Sequence, residues 1–140
     1  MFILYEQSDN SVAIINFLEE YNVKHVIRSQ VPKNARYVLI EDDKLPKEED
    51  LSDFGKALRV DFDTKEIFFD IQVSREVTKD RLRKERIPFF EINDIKIRDA
   101  MLDGNNDELS KAIIERNRLR DITKLPDQVF TLDGLRQIHP

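Results

Sequence analysis

The second half of the chain carries the clearest hydrophobic pattern. Between about Ser74 and Asp103, apolar residues recur at steps of three, seven and four, which is the spacing of an amphipathic helix. These residues are Ile87, Phe90, Ile97 and Met101. Asp94 occupies the position that would complete the stripe, where a leucine would otherwise be expected. The pattern therefore predicts a long helix whose buried stripe contains one carboxylate.

A turn and a second helix follow. The residues at positions 103–106 are Asp, Gly, Asn and Asn, and glycine and asparagine accept the left-handed conformation that ends a helix. Asp107 can then cap the next helix. The second helix repeats the helical spacing with Leu109, Ile113, Arg116 and Arg120. The two helices are therefore expected to pack as an antiparallel hairpin.

Three charged residues fall on the predicted hairpin seam. Counting outward from the turn places Asp94 within reach of Arg116, so we expect an ion pair inside the seam or at its rim. Arg120 lies on the same helix face as Arg116. Because a lone carboxylate in an apolar stripe is costly, we interpret the group as a structural ion pair. The alternative is that Asp94 is a partner-binding or catalytic acid.

Pro88 interrupts the first predicted helix. Proline has no N–H for the Lys84 carbonyl, and its ring crowds the preceding turn, so a kink between Lys84 and Pro88 is expected. The alternative is two helices, one that ends near Arg86 and one that begins near Pro88, since proline suits a first helical turn.

The first half of the chain consists of short apolar runs between polar turns. Phe2 to Tyr5 predicts a strand, and the polar cluster at 8–11 predicts the start of a helix. The buried face of that helix would hold Ile14, Ile15, Leu18 and Tyr21. Further strands are predicted at 25–27 and 36–40, a helical turn at 50–54, and a β-hairpin at 57–61 and 66–71. A short helix is predicted at 131–138.

These elements predict an α+β fold. Residues 1–72 would form a small N-terminal αβ unit of about four to five short strands with one helix. Residues 73–140 would form the long antiparallel helical hairpin and the short C-terminal helix. The two parts could also be one continuous domain, since 140 residues suffice for one ordinary core. Phe68 and Phe69 point to opposite faces of a strand, so one is a candidate contact residue unless helices cover both.

Charge and composition narrow the function. The chain has a net charge of -5 and no cysteine. Residues 1–72 contribute a net charge of -6 and residues 73–140 a net charge of +1, which argues against general nucleic-acid binding. The basic run at 79–86 is interleaved with acids and has no aromatic residue, so we interpret it as a solvated, ion-paired helix face, and the alternative is that it contacts nucleic-acid phosphates. The N-terminal apolar run is too short for a signal peptide or a membrane span.

Residue patterns for catalysis and metal binding are missing from the sequence. The acidic residues at 41–43, 50 and 53 lack the central glycine and terminal glutamate of a calcium loop. Three glycines cannot build a phosphate-binding loop, and His25 and His139 lie at opposite ends of the chain. We therefore predict no catalytic residue, no metal and no cofactor.

Several sequence groups occur together in a familiar order. The first comprises Val31-Pro32, Tyr37 to Ile40 and Leu45-Pro46; the second comprises Arg83, Arg86 and Asp94-Ile95; the third comprises Arg116, Leu119 to Thr123 and the ending at 131–140. In this combination the chain resembles small tailed-bacteriophage proteins encoded near tail-fibre genes, of the tail fibre or tail assembly chaperone-like kind. The resemblance extends over roughly residues 31–140.

The resemblance implies a role without catalysis. It implies a virion component near the tail tip or collar where fibres attach, present as a homo-oligomer and made in the host cytoplasm. The alternative is a transient assembly chaperone absent from the mature virion. The partners would be tail-fibre or tail-tip proteins, with neither nucleic acid nor membrane. A generic interaction domain that binds a helical partner is the further alternative. Candidate contact residues are Phe68, Phe69 and the outward-facing Arg81, Lys84 and Arg98.

Overall fold

The computed structural model describes residues 1–18 and 22–140 and has the predicted α+β fold. The chain divides into two compact units, Met1–Ser74 and Arg75–Pro140. The first unit contains β1 (Phe2–Glu6), β2 (Val12–Asn16), α1 (Val23–Gln30), β3 (Tyr37–Ile40), α2 (Glu48–Phe54), β4 (Leu58–Val60) and β5 (Ile67–Phe69). Helix α3 (Ile71–Glu85) begins there and continues into the second unit. The second unit then contains α4 (Ile87–Leu102), α5 (Asn106–Asp121), a 3-10 segment (Ile122–Gln128) and α6 (Leu132–Arg136).

The first unit is built around an antiparallel sheet with the strand order β2-β1-β3. Leu4 in the central strand lies opposite Ile14 on one side and Val38 on the other. Successive side chains of a strand point to opposite faces, so Leu4 packs in a cluster with Val60 of β4 while Ile3 packs with Val26 of α1. Both faces of the central strand are therefore covered.

The predicted helix at 11–21 and the predicted strand at 25–27 are both wrong, because the two elements have the opposite type. The segment Val12–Asn16 is rich in β-branched residues, which fit a pleated sheet, and it forms β2. Asn10 adopts a positive φ of 63°, and the amide of Gln7 donates to the Ser11 carbonyl, so the polar cluster closes a turn between β1 and β2. Leu18 is exposed and Tyr21 lies outside the described residues.

The segment predicted to be a strand at 25–27 lies within helix α1, which begins directly after a capping residue. The Asn22 side chain accepts a hydrogen bond from the Lys24 amide, which satisfies one of the free N–H groups of the first turn. Val26 is buried and His25 is exposed in this helix. The Asn22 cap and the burial of Val26 therefore explain why this segment is a helix and not a strand.

Helices α3 and α4 are separate, so the expectation of one long kinked helix is wrong and the two-helix alternative is correct. Helix α3 ends at Glu85, and Pro88 lies in the first turn of α4, where a missing N–H costs little. The backbone stays close to helical at Arg86, whose amide still donates to the Leu82 carbonyl. The two helices are consequently joined by a single residue.

The turn between α4 and α5 is a Schellman motif. Gly104 has a φ of +66°, its amide donates to the Met101 carbonyl, and the Asn105 amide donates to the Ala100 carbonyl. The Asn105 side chain accepts a hydrogen bond from the Glu108 amide and caps α5. The cap is thus Asn105, and the prediction of Asp107 as the cap is wrong.

The C-terminal segment packs against α3. Helix α5 ends at Asp121 and continues as the 3-10 segment that contains Pro126. Thr131 then caps α6, and Leu135 is fully buried. Arg81 of α3 donates to the carbonyls of Leu135 and Ile138 at 3.1 and 2.8 Å. These bonds tie the end of the chain to the second unit.

Candidate interaction surface of the helical hairpin

The seam between α4 and α5 encloses two alanines, one asparagine and one leucine. Asn93 and Ala100 of α4 and Ala112 and Leu119 of α5 are buried. The Asn93 side-chain nitrogen donates to the Ala112 carbonyl at 2.9 Å, so the buried amide has a partner. Alanines on both helices allow the backbones to approach closely. Leu119 is enclosed there, whereas most other large apolar side chains of the two helices are half-buried or exposed.

The predicted buried stripe is consequently wrong in part. Phe90 and Ile97 are half-buried beside the seam, but Ile87, Asp94 and Met101 are exposed. The seam runs through Asn93 and Ala100, each one residue before a member of the predicted stripe. The predicted helical period is correct, but the covered face lies one residue earlier than predicted. Periodicity alone does not tell which of two apolar faces a partner helix will cover.

The ion pair between Asp94 and Arg116 is present at the rim of the seam. Nη1 of Arg116 contacts Oδ1 of Asp94, and about half of each side chain is exposed. Arg120 does not join the pair. It binds Asp121 at 3.0 Å instead, and together with Lys124 it holds the pKa of Asp121 well below its usual value. The pair is therefore a surface contact between two helices rather than a buried charge cluster.

A second arginine extends this contact along the stem of the hairpin. The guanidinium groups of Arg86 and Arg116 lie 5.3 and 5.7 Å from the centroid of the Phe90 ring. Nη1 of Arg86 also donates to the Leu119 and Arg120 carbonyls at 3.2 and 2.9 Å. A cation at these carbonyls is favourable, because they end α5 and carry its negative dipole.

We call Arg86, Phe90, Asp94 and Arg116 the stem cluster. Sequence analysis found two of its members and missed the contacts of Arg86 and Phe90. The signal was the spacing of four residues between Arg86, Phe90 and Asp94, which places them on one side of α4. The cluster fixes how α4 and α5 lie against each other.

The two flanks of the hairpin differ in character. One is a polar groove lined by residues that include Lys96, Asp99, Glu108 and Glu115. In it, Arg118 holds the pKa of Glu115 below its usual value through a side-chain hydrogen bond, and the charge of Lys96 acts in the same direction. The other flank is an apolar cleft lined by Asp94, Ile97, Arg98, Met101, Leu102 and Arg116.

Helix α4 also carries large apolar residues on the side away from the seam. Ile92, Ile95 and Leu102 are 55%, 49% and 78% exposed, and they follow Pro88 at the spacing of one helix face. We call Pro88, Ile92, Ile95 and Leu102 the outer stripe. An apolar helix face normally packs against another element, and α4 has this second face besides the one toward α5. The outer stripe is therefore a candidate contact surface.

The candidate contact residues predicted from the sequence differ in how exposed their side chains are. Phe68 is 47% exposed, whereas Phe69 is half-buried. Lys84 and Arg98 are exposed, and Arg98 reaches only the adjacent Asp99, at 3.3 Å. Arg81 does not face outward as predicted. It is half-buried and bound to Glu85 and to the carbonyls near the C-terminus, so its role is structural.

Three of the five basic residues in the run at 79–86 pair with acids of the second unit. Lys79 pairs with Glu76 and Asp127, and Arg83 pairs with Asp80. The hydrogen bond from Lys79 to Asp127, and to a smaller extent the one to Glu76, raises the pKa of Lys79. Within residues 1–18 and 22–140, no helix has both the length and the hydrophobicity that a membrane span requires.

Comparison with protein-family models, curated proteins and solved structures finds no match to this chain. The candidate site therefore has to be interpreted from its own geometry.

Proposed function

We propose that this chain is a non-enzymatic bacteriophage tail protein, a structural component near the tail tip or collar that anchors or bridges tail fibres through its helical hairpin. In this proposal several copies act together, and the contacts are made with helical segments of tail proteins. The observation that carries the interaction role is the exposure of large apolar side chains on the outer stripe and in the apolar cleft.

The apolar cleft supports docking of a helix. It is open and runs along α4, with Ile97, Met101 and Leu102 as its apolar lining and Asp94, Arg98 and Arg116 as its charged margin. Met101 is 65% exposed, and an unbranched, polarisable side chain adapts to different partners. An amphipathic helix could place apolar residues in this cleft and acidic residues beside the two arginines.

The sequence resemblance supports the tail setting. Its second and third residue groups meet in the stem cluster, where Arg86 binds the carbonyls of Leu119 and Arg120, and Arg116 binds Asp94. If the proteins that the chain resembles share this hairpin, their common residues should include those that connect its two helices. The residues of the pattern thus hold the surface in shape, and the partner would contact the side chains around them.

The experiment is recovery of tail proteins with the tagged full-length chain, combined with mass spectrometry of purified particles. The proposal expects the chain in mature particles at fixed stoichiometry, and it expects Met101→Glu to reduce recovery of the tail partner. Leu18→Glu is the matched control, because Leu18 is 64% exposed but lies in the first unit.

The outcomes separate three alternatives. Presence in particles supports the structural role. Binding to nascent fibre protein with absence from mature particles would replace it by the role of a transient assembly chaperone. Recovery of no tail protein would overturn the tail setting and leave a generic interaction domain.

A further inference from the structure

We infer that the outer stripe of α4 is a self-association surface, on which α4 of a second copy of this chain packs in the antiparallel direction. The inference rests on the proposed assembly of several copies, and it adds the surface, the partner and the orientation. It is carried by the spacing and exposure of the outer stripe together with the charges that border it.

The outer stripe has the spacing of a coiled-coil seam. Pro88, Ile92, Ile95, Asp99 and Leu102 follow one another at alternating steps of four and three residues. Four of the five are apolar, and all five are exposed. The seam toward α5 uses a different row, which includes Asn93 and Ala100. Helix α4 therefore has two packing faces, and the second unit covers only one of them.

The charges beside the outer stripe are self-complementary in the antiparallel direction. Glu91 and Arg98 are seven residues apart and border the stripe on the same side. In an antiparallel pair, Glu91 of each copy borders the same edge of the contact as Arg98 of the other, about two residues out of level and within reach of it, so the two-fold axis creates the contact twice. Among the described residues Glu91 has no ion-pair partner, and Arg98 reaches only its neighbour Asp99. Both charges are thus available to a second copy.

Asp99 selects the direction. A parallel pair would place the two Asp99 carboxylates opposite each other within the apolar contact, where like charges are costly. An antiparallel pair places each Asp99 opposite Pro88 near the end of the contact, where water reaches it.

The contact is expected to be weak. Helix α4 has 16 residues and is therefore about 24 Å long. One helix face of that length buries less than the ~800 Å² per partner of a standard stable interface. The dimer should consequently depend on protein concentration, and additional contacts in an assembly would strengthen it.

The experiment is sedimentation velocity of the purified full-length chain over a wide concentration series at low salt. The wild-type chain should show a reversible monomer–dimer equilibrium, and Ile95→Asp should abolish it. Glu91→Arg and Arg98→Glu should each weaken association at least ~10-fold, because each creates two like-charge contacts. The double variant Glu91→Arg with Arg98→Glu restores opposite charges in the antiparallel pair and should regain most of the wild-type association.

Lys24→Glu is the control charge reversal, since Lys24 is exposed in α1, and circular dichroism verifies that every variant is folded. A wild-type chain that stays monomeric throughout, or an Ile95→Asp variant that dimerises normally, would overturn the inference. Failure of the double variant to recover association would overturn the antiparallel direction. The assay contains no phage protein, so a monomeric result leaves the tail proposal standing, and failure to recover tail proteins leaves the dimer standing.

Discussion

The central strand of the first unit and helix α4 of the second unit differ in how much of their apolar surface is enclosed. The first unit encloses Ile3 and Leu4 completely on the two faces of its sheet. The hairpin of the second unit encloses Leu119, two alanines and one amide side chain, and leaves Ile92 and Leu102 exposed. Hydrophobic stabilisation follows the apolar area removed from water, so α4, which buries Asn93 and Ala100, gains less from its seam than β1 gains from the sheet core. Both units therefore bury large apolar side chains, in the second unit Leu82, Leu119 and Leu135, but α4 keeps an exposed apolar face.

Polar contacts add to the small apolar seam of the hairpin. The stem cluster, the Asn93 amide and the Schellman turn each fix one part of the α4–α5 geometry. Such contacts specify alignment more than they add stability. A surface held in shape in this way can stay exposed without collapsing onto itself.

The largest expected effect is the loss of stability when an enclosed apolar residue of the first unit is truncated, compared with an exposed one of the second. Leu4→Ala should lower the free energy of unfolding by about 2–5 kcal/mol, because Leu4 is fully enclosed. Ile95→Ala should lower it by less than about 1 kcal/mol, because half of Ile95 is already in water. Urea denaturation at a concentration where the chain is monomeric measures both. Equal losses would refute the contrast between the units.

The next effect tests the amide in the hairpin seam. Asn93→Ala removes the donor to the Ala112 carbonyl and should lower the free energy of unfolding by about 1–2 kcal/mol. Asn117→Ala is the matched control, since Asn117 is exposed on α5, and it should change stability little. If the two variants have the same stability, the buried hydrogen bond does not contribute to the seam.

A smaller effect is expected at the rim of the same seam. Asp94→Ala should cost less than about 1 kcal/mol, because both partners of the ion pair are half exposed. Thermal or urea unfolding of Asp94→Ala, Arg116→Ala and the double variant gives the coupling energy. A coupling well above 1 kcal/mol would place the pair in a drier environment than its exposure indicates.

The smallest effect concerns the acid beside Arg120. The pKa of Asp121 should lie below 3.8, because Arg120 and Lys124 both hydrogen-bond its charged form. A carboxylate with a depressed pKa contributes stability above its unfolded-state pKa and loses it as the pH falls below about 4. An NMR titration of the Asp121 carboxyl measures the value. Arg120→Ala should raise it toward 3.8, and an unchanged value would show that the pairing is absent in solution.

The sequence predicted helical structure better in the second half than in the first. Periodicity over many residues indicated the hairpin, and Gly104 indicated its turn, because a positive φ strongly favours glycine. The segments at 12–16 and 23–30 are short, and short apolar runs fit either a strand or a helix. Pairing with β1 made the first a strand, and the Asn22 cap with burial of Val26 made the second a helix.

The sequence alone determined the α+β composition, the antiparallel hairpin and the proximity of Asp94 to Arg116, since these follow from spacing along single helices and from one turn. Only the tertiary structure decided that Asn93 and Ala100 form the seam, that Arg81 points inward, and that the outer stripe stays exposed. The physical reason is that an amphipathic pattern defines faces of a helix, whereas the choice of the covered face depends on how closely another backbone can approach. Small side chains on α4 and α5 made that choice.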